Sequence, residues 1–361
     1  MKTLLLASDS FKGTLSSQRI ASLAQEVINE GFASTWALDP CPLADGGEGT
    51  LEAVHQSLGG EFRYVPVVDA EGKPMHAPIL FLSESRVAIE VSSVLGLPSV
   101  EGKVPPLERS SRGLGMLIKE AIRMGAKEIL VGLGGSCTND MGIGTLQEMG
   151  LDFGTKESVT MANCPQVQSL SWGSFLEAIR GVSFSCLCDV DSPLLGKEGA
   201  TFVYGPQKGY GDSLDYLEKE MGRLSSLAFS LTGVDVSREE KLGAAGGLGA
   251  CFRAFFGAKM LSGISYLLEL SHFKERAEKA DLIITGEGRF DSQSLKGKVF
   301  SGVYSSCDPK KLVVLCGKSE VENPPLPVYQ TSRPGERFEE AKRKAEQEYQ
   351  SALREILLSR A

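Results

Sequence analysis

Short apolar runs alternate with helical patterns along much of the chain, and this alternation constrains the fold more than any other feature of the sequence. The runs that we predict to be buried strands are 3–7, 35–38, 128–132, 281–285 and 311–316. Helical periodicity follows the first run, where Ile20, Leu23 and Val27 recur on one face. Strands that alternate with helices are typical of an α/β protein with a doubly wound parallel sheet.

The stretch 62–109 has a different character. It contains short alternating runs that are interrupted by prolines, such as Pro66 and Pro74, which favours an antiparallel, turn-rich structure. A chain of 361 residues also suits two domains better than one. We place a discontinuous α/β domain at 1–62, 110–150 and 265–361, and a second α/β domain, inserted in it, at 63–109 and 151–264.

The bulk properties exclude several classes of partner. The net charge is −8 and the basic residues are scattered along the chain, which argues against nucleic acid. The sequence has no apolar run of membrane-spanning length. Its first apolar run, 4–7, is too short for the core of a signal peptide. We therefore predict a cytoplasmic protein with small-molecule substrates; the sequence does not indicate its oligomeric state.

Four loops that carry glycine and charge follow predicted strands: 9–17 (DSFKGTLSS), 134–140 (GGSCTND), 286–294 (GEGRFDSQS) and 317–320 (GKSE). In open parallel sheets, ligands bind at the edge formed by the carboxyl ends of the strands. Glycines let backbone N–H groups approach an anion there. For any single loop, the alternative is that glycine serves turn geometry alone.

The side chains in these loops suit phosphoryl transfer. The cations are Lys12, Arg289, Lys296 and Lys298. Asp9, Glu287 and Asp291 offer oxygen ligands for a hard divalent cation. Cations, carboxylates and backbone donors together are what phosphoryl-transfer enzymes use. The standard nucleotide signatures are nevertheless missing, because GxxxxGK[ST] and GxGxxG do not occur in the sequence. If ATP binds, it binds through a different architecture.

Three further motifs carry candidate groups, each with an alternative interpretation. Residues 182–188 alternate like a strand. Asp189 and Asp191 lie two apart after it and suit Mg²⁺ ligation or general-base catalysis, or a turn before Pro193. Asp45, in a glycine turn, is a candidate base or metal ligand, or a helix N-cap. Gln207 and Lys208 are polar ligand contacts or part of a surface turn.

Six long motifs, in this order and spacing, resemble those of the type 1 glycerate kinases of bacteria. They are DSFKGTLSS, PLADGGEGT, GLGGSCTNDMG, CDVDSPLLGKEGATFVYGPQKG, GAAGGLGA and DLIITGEGRFDSQSLKGKV. The resemblance implies transfer of the γ-phosphoryl group of ATP to D-glycerate, giving 2-phosphoglycerate and ADP, with Mg²⁺. It also implies one flavodoxin-like domain and one domain that is similar to restriction endonucleases. The alternatives are a kinase that forms 3-phosphoglycerate or acts on another hydroxy acid, and a non-catalytic nucleotide-binding regulator.

The resemblance also implies roles for individual residues. As catalytic residues we predict Asp189, Asp45 and Lys12, with Asp189 as the first choice of base. The predicted substrate and phosphate contacts are Asp9, Ser10, Gly46, Gly47, Gly134, Gly135, Ser136, Thr138, Asn139, Gln207, Lys208, Gly286, Gly288 and Arg289. The predicted magnesium ligands are drawn from Asp189, Asp191, Glu287 and Asp291.

One stretch departs from the family pattern. At Arg109–Arg112 the sequence reads RSSR, where the family has a threonine-rich segment without these two charges. If this stretch contacts the substrate, affinity or substrate choice would differ from that of the family.

Overall fold

The computed structural model describes residues 1–97, 100–295, 298–333 and 335–360. The chain forms two compact α/β units. Unit 1 comprises Met1–Gly59 and Gly263–Ala361, and unit 2 comprises Gly60–Ser262. Among the described residues, no helix combines the length and the apolar character needed to cross a membrane.

The strands are β1 Lys2–Ser8, β2 Trp36–Pro40, β3 Glu61–Val68, β4 Pro74–Phe81, β5 Arg86–Glu90, β6 Glu128–Gly132, β7 Ser183–Leu187, β8 Lys259–Leu261, β9 Leu282–Gly286, β10 Arg289–Phe290, β11 Leu312–Cys316, β12 Lys318–Ser319 and β13 Val328–Gln330. The α-helices are α1 Ser17–Gly31, α2 Thr50–Leu58, α3 Ser92–Leu95, α4 Arg112–Arg123, α5 Ile143–Glu148, α6 Phe175–Ala178, α7 Ala200–Tyr204, α8 Leu214–Thr232, α9 Ala244–Phe255, α10 Gly263–Leu270, α11 Phe273–Lys279, α12 Val299–Ser305 and α13 Phe338–Ser359.

The main sheet of unit 1 is fully parallel, with strand order β13-β11-β9-β1-β2. Counted along the chain of this unit, the order is 2-1-3-4-5, which is that of flavodoxin-like sheets. The order reverses between β1 and β9. In such sheets the ligand crevice lies outside the carboxyl ends of the two strands at this switch point. The loops that follow β1 and β9 are therefore where a ligand of unit 1 is expected.

Helices cover this sheet, and their apolar faces explain why its strands are nearly continuous apolar runs. Helix α1 begins at the N-cap Ser16, whose side chain accepts a hydrogen bond from the N–H of Arg19. Its buried stripe includes Ile20 and Leu23 and belongs to the same core cluster as Leu353 of α13. Packing of α13 against the sheet also fixes the cavity that is described below.

Unit 2 contains a six-stranded mixed sheet with the order β3-β4-β5-β6-β7-β8. The pairs β3–β4 and β4–β5 are antiparallel, in agreement with the antiparallel structure expected for 62–109. Strands β5 to β8 run parallel. The carboxyl ends of β5, β6 and β7 therefore meet at one edge of this sheet.

The placement of residues 110–150 differs from the prediction from sequence. We expected this segment in the first domain, but its strand β6 pairs with β5 and β7 in the sheet of unit 2. The physical reason is that an apolar run shows that a strand is buried on both faces but carries no signal for the strand with which it pairs. The loop 134–140 consequently belongs to unit 2.

Candidate active site

The carboxyl ends of β1 and β9 are held close together in unit 1. The N–H of Asp9, which follows β1, donates to the backbone oxygen of Gly286 at 2.9 Å. A Cβ atom at Gly286 would lie 1.8 Å from the backbone oxygen of Leu315. A Cβ atom at Gly288 would lie 3.2 Å from the Cα of Phe11. The predicted contacts Gly286 and Gly288 are therefore glycines because three backbone segments approach closely here.

Lys12 and Asp45 form the centre of a charged cluster at this edge. The Lys12 Nζ lies 3.1 Å from Asp45 Oδ2 and 3.9 Å from Asp9 Oδ2. Asp45 Oδ1 also accepts the N–H of Gly47 at 3.1 Å, in a turn where Gly46 has a φ of +86°. Lys12 thus joins the loop after β1 to the glycine turn that precedes α2.

The carboxyl groups of this cluster have different ionisation. Burial raises the pKa of Asp9 to about 8; Lys12 opposes this effect, and the charges of Asp45 and Glu287 add to it. Burial also raises the pKa of Glu287. For Asp45, burial acts in the same direction, but the charge and hydrogen bonds of Lys12 outweigh it and the pKa is lowered. Of the three carboxyl groups around Lys12, only that of Asp45 is therefore stabilised in its ionised form.

A cavity of about 410 Å³ opens beside this cluster, and all its lining residues belong to unit 1. Its charged lining residues are Asp9, Lys12, Glu287, Arg289, Asp291, Lys298, Lys318, Arg333 and Glu336. Ser10 also lines it, and the Ser10 N–H donates to Asp9 Oδ1 at 2.7 Å. Arg289 Nε is bonded to Glu320 Oε2 at 3.1 Å. Lys296, which we counted among the cations of the sequence, lies outside the described residues.

The acidic residues of the cavity are not arranged as a closed metal cage. Within the described ranges, no group of three or more His, Cys, Asp or Glu side chains could hold a metal ion. Asp291 Oδ1 accepts the N–H of Gln293 at 2.8 Å, and its Oδ2 lies 3.7 Å from Arg289 Nε. The Oε1 atom of Glu287 is buried and has no hydrogen-bond partner among the described residues. Such an unsatisfied carboxylate oxygen fits a cation as its partner.

Unit 2 carries a second, smaller cavity of about 200 Å³. Among its lining residues are Gly134, Gly135 and Ser136 from the loop that follows β6, and Gln207, Lys208 and Ala245. Ala245 adopts a left-handed backbone with φ +51° inside α9, a conformation that is strained for a residue with a side chain. The sequence-predicted contacts 134–136, 207 and 208 are thus brought together at the carboxyl edge of the second sheet.

Lys208 is the most informative side chain of this cavity. It is only 5 % exposed. Its Nζ donates to Ser136 Oγ at 3.0 Å and to the backbone oxygen of Thr138 at 2.7 Å, which are both neutral acceptors. Burial lowers the pKa of Lys208 to about 8, and the electrostatic interactions with Cys137 and Asp140 only partly oppose this shift. A buried ammonium with neutral partners at a cavity wall is suited to binding an anion.

The neighbouring residues Thr138, Asn139 and Asp140 support the loop. The Asp140 carboxylate accepts hydrogen bonds from the N–H and the hydroxyl of Ser111 and from the N–H of Gly142. Thr138 and Asn139 are fully buried, and their side-chain polar atoms have no hydrogen-bond partner among the described residues. They are not among the residues that line the cavity. Their predicted contact with phosphate stays a prediction.

Asp189 and Asp191 follow β7 at the same edge of the sheet. Asp189 is half-buried, and its Oδ1 accepts a hydrogen bond from Ser262 Oγ at 2.7 Å. Val190, the next residue, lines the 200 Å³ cavity. Asp191 is exposed. The two carboxylates, which were both predicted as magnesium ligands, therefore differ in burial.

Sequence reasoning gave no role to Arg109, although it noted the charge as a departure from the family pattern. Arg109 is buried, and its Nη1 donates to the backbone oxygen of Lys208 at 2.8 Å. Its Nε has no hydrogen-bond partner among the described residues. A buried arginine on the backbone of Lys208 connects the unusual RSSR stretch to the small cavity.

A flavodoxin-like unit with a charged cavity at its ligand crevice, together with a small cavity walled by a buried lysine in a second α/β unit, is typical of an enzyme with small-molecule substrates. Comparison with known proteins identifies the family to which this enzyme belongs. A family model described as "Glycerate kinase family" matches residues 4–358. The chain belongs to the glycerate kinase family and is a kinase.

Individual relatives agree with this assignment. The glycerate kinase of Bacillus subtilis (strain 168) is 35 % identical over 337 residues, which is 91 % of this chain and 87 % of that protein. The glycerate 2-kinase of Escherichia coli (strain K12) is 34 % identical, over 83 % of this chain and 80 % of its own. A crystal structure from Salmonella typhimurium LT2, described as a candidate glycerate kinase 2, superposes with a TM-score of 0.79 at 30 % identity and covers 99 % of this chain and 98 % of that one.

Proposed function

We propose that the protein transfers the γ-phosphoryl group of ATP to the C2 hydroxyl of D-glycerate and forms 2-phosphoglycerate and ADP. The observation that carries this proposal, beyond family membership, is the buried Lys208 at the wall of the small cavity. A three-carbon hydroxy acid brings one carboxylate, which is the anion that this ammonium lacks. A cavity of about 200 Å³ is also below the roughly 300–1,000 Å³ of sites for drug-sized ligands.

In this proposal, glycerate binds to the small cavity of unit 2. Lys208 Nζ binds the carboxylate, while Ser136 Oγ and the glycines 134 and 135 provide further donors at the same wall. The Gln207 side chain, which lines the cavity, is available to a glycerate hydroxyl. These contacts fix the acid end of the substrate and thereby select which hydroxyl is presented for transfer.

Asp189 is the proposed general base. It lies two residues after the end of β7 and directly before the cavity residue Val190, and the hydrogen bond from Ser262 orients its carboxylate. In the transfer, the C2 hydroxyl gives its proton to Asp189 and its oxygen forms a bond to the γ-phosphorus. The bond between the γ-phosphorus and the β–γ bridging oxygen breaks, and ADP leaves with that oxygen.

The unit 1 cavity beside Lys12 and Asp45 is the proposed site of ATP. Its volume of about 410 Å³ falls in the range of roughly 300–1,000 Å³ that is usual for drug-sized ligands. Lys12 and Lys298 supply positive charge for the phosphates, at the switch point where flavodoxin-like sheets bind their ligands. Lys12, which is held by Asp45, is the proposed contact to the transferred phosphoryl group.

The residues of unit 1 also fit Mg²⁺. A magnesium ion in a kinase uses one or two carboxylates and takes its remaining ligands from water and phosphate, so a cage of three carboxylates is not required. Glu287, with its unsatisfied buried oxygen, and Asp9 are the carboxylates that would hold the ion in this proposal. When bound, the ion would neutralise phosphate charge as it is transferred.

The first test is phosphorus NMR of the purified protein with Mg-ATP and D-glycerate. A 2-phosphoglycerate resonance that grows as the γ-phosphate resonance of ATP declines is the expected result. The Lys208→Met variant is compared with the wild-type protein in the same experiment. Its rate at low glycerate concentration should fall sharply because the carboxylate of glycerate loses its counter-charge.

Other outcomes would change the proposal in defined ways. A 3-phosphoglycerate resonance would keep the kinase and overturn the proposed regiochemistry. Transfer to another hydroxy acid but not to glycerate would overturn the substrate. ATP binding without transfer to any hydroxy acid would favour a nucleotide-binding regulator.

A further inference from the structure

We propose that the apolar flank of the unit 1 cavity, formed by Phe338 and Ala341 of α13, binds the purine base of the nucleotide, with the Phe338 ring stacked on the base. This inference rests on the proposed function, because it assigns a subsite within the proposed ATP cavity. It adds a recognition element that none of the sequence motifs contains.

The first observation is the exposure of Phe338. This residue is 56 % exposed, although it lines a cavity that also has many charged lining residues. Ala341 and Ala345 also line the cavity. The three positions are spaced i, i+3 and i+7, so they lie on one face of α13. The helix therefore presents a narrow apolar strip, one ring and two methyl groups, to a cavity that also has charged walls.

The second observation is a backbone support behind the ring. Gly13 has a φ of +79°, and a Cβ atom there would lie 3.2 Å from Phe338 Cζ. Glycine thus provides both the left-handed turn and the space for the ring. The turn is closed by hydrogen bonds between Phe11 and Leu15, at 2.8 Å from the Phe11 N–H and 3.0 Å from the Leu15 N–H. The tip of the ring therefore lies next to this turn, while more than half of the residue stays exposed.

The third observation is that this turn and α13 are anchored in the same core. Phe11 is buried, and its ring lies 5.9 Å from that of Tyr349 in an edge-to-face arrangement. Tyr349 and Ala345 belong to the α13 face that packs in the core of unit 1. The ring of Phe338 is therefore positioned by the fold before a ligand arrives, which lowers the entropic cost of binding.

The cavity has the polarity that a nucleotide requires. Its apolar strip lies at the start of α13, whereas Lys12, Lys298 and Lys318 supply positive charge from the loops at the sheet edge. A purine nucleoside triphosphate has the same division between a flat aromatic base and a polyanionic chain. An aromatic side chain accepts any purine by stacking, so this subsite predicts affinity for the base more than discrimination between adenine and guanine.

The test compares Phe338→Ala, Phe338→Leu and Phe338→Trp. Loss of stacking in Phe338→Ala should raise KM for ATP about 5- to 10-fold, since an aromatic–base stack is worth about 1 kcal/mol or more. The values of KM for glycerate and kcat at saturating ATP should stay within about 2-fold. Phe338→Leu keeps apolar area but has no ring and should resemble Phe338→Ala. Phe338→Trp should restore KM, and its fluorescence should change when ATP or ADP is added.

Inorganic tripolyphosphate separates the base from the phosphates. It should inhibit the wild-type protein and Phe338→Ala equally, because it has no base to stack. Phe229→Ala is the matched control, since Phe229 is 53 % exposed on α8 in unit 2 and its loss should leave KM for ATP unchanged. Far-UV circular dichroism and the melting temperature check that α13 remains folded.

Two results would overturn the inference. An unchanged KM for ATP in Phe338→Ala, in a protein that still phosphorylates glycerate, would place the base elsewhere and leave the proposed function intact. Equal loss of ATP and tripolyphosphate affinity would make Phe338 a structural residue. Failure of the proposed function is distinguishable, because the wild-type protein itself would then show no ATP-dependent transfer.

Discussion

The guanidinium of Arg109 donates a hydrogen bond from Nη1 to the backbone oxygen of Lys208 at 2.8 Å, and both side chains are buried in unit 2. Arg109 therefore acts on the small cavity through the backbone of Lys208. We expect Arg109→Met to raise KM for glycerate about 10-fold or more, because the loss of a charge-assisted hydrogen bond is worth about 1.5–3 kcal/mol. Steady-state kinetics with glycerate varied at saturating ATP measures this effect.

The neighbouring Arg112 provides the control for Arg109. It is an exposed residue at the start of α4, paired with Glu148 at 2.9 Å, and such surface pairs contribute about 0–1 kcal/mol to stability. Arg112→Met should leave KM for glycerate within about 2-fold. If the two variants had the same kinetics, Arg109 would have no positioning role.

Lys208 predicts a pH dependence of glycerate binding. Its pKa is lowered to about 8 by burial, so the ammonium that binds the carboxylate is present below this pH and is lost above it. KM for glycerate should be flat below pH 8 and then rise up to about 10-fold per pH unit. In Lys208→Met the value should be high throughout and should not show this rise, which pH-dependent kinetics of both proteins would reveal.

The lowered pKa of Lys208 also predicts how the stability of the unliganded protein depends on pH. The pKa of Lys208 is lower in the folded state, at about 8, than the ordinary lysine value of 10.5 that applies to the unfolded chain. Between these values the unfolded chain binds more protons, so this residue makes the free energy of unfolding rise with pH. Denaturant titrations at pH 7.5 and 9.5 should show wild type gaining stability relative to Lys208→Met. A constant difference would contradict the lowered pKa.

These residues show how much of the fold and of the candidate site could be predicted from the sequence. The sequence included Lys208 among the predicted ligand contacts, and apolar runs located β1, β6, β9 and β11 to within a residue or two. The burial of Lys208 and its contact with Arg109 depend on segments about a hundred positions apart, which no local pattern encodes. The placement of β6 in the second sheet was missed for the same reason. Strand β13 was also missed, because it is short and follows a proline-rich segment.

Lys12 is predicted to act on ATP and not only to hold the fold. Lys12→Met removes the partner of Asp45 and one positive charge from the cavity, and Lys12 is 48 % exposed at its side chain. We expect kcat/KM for ATP to fall at least about 100-fold, as is common when a preorganised charge that stabilises the transition state is removed. KM for glycerate should change much less.

The control for Lys12 is Lys318, which lines the same cavity and is likewise paired with a carboxylate, at 2.9 Å from Glu320, but is not the proposed contact to the transferred phosphoryl group. Lys318→Met should lower kcat/KM for ATP less than about 5-fold. Equal effects of the two variants would indicate that only the net charge of the cavity matters.

Gly286 tests the close backbone approach at the switch point. A methyl group there would meet the backbone oxygen of Leu315 at 1.8 Å, so β9 and β11 would have to separate. Gly286→Ala should destabilise the protein by about 3 kcal/mol, the upper part of the usual range for overpacking. At Gly31, the last residue of α1, an added methyl group would have no neighbouring atom within 4 Å. Gly31→Ala should therefore be neutral or slightly stabilising in the same thermal and denaturant unfolding experiments.

Asp189 is tested by Asp189→Asn, which keeps the shape of the side chain and can still accept the hydrogen bond from Ser262 Oγ. The amide cannot take a proton from the C2 hydroxyl, so we expect kcat to fall about 100-fold or more while the melting temperature and KM for ATP change little. Ser262→Ala should have a smaller effect on kcat, because it removes only the hydrogen bond that orients the carboxylate. Asp191→Asn is the matched control, since this exposed neighbour is not the proposed base. Near-normal turnover of Asp189→Asn, with a large loss in Asp191→Asn, would exchange the two roles.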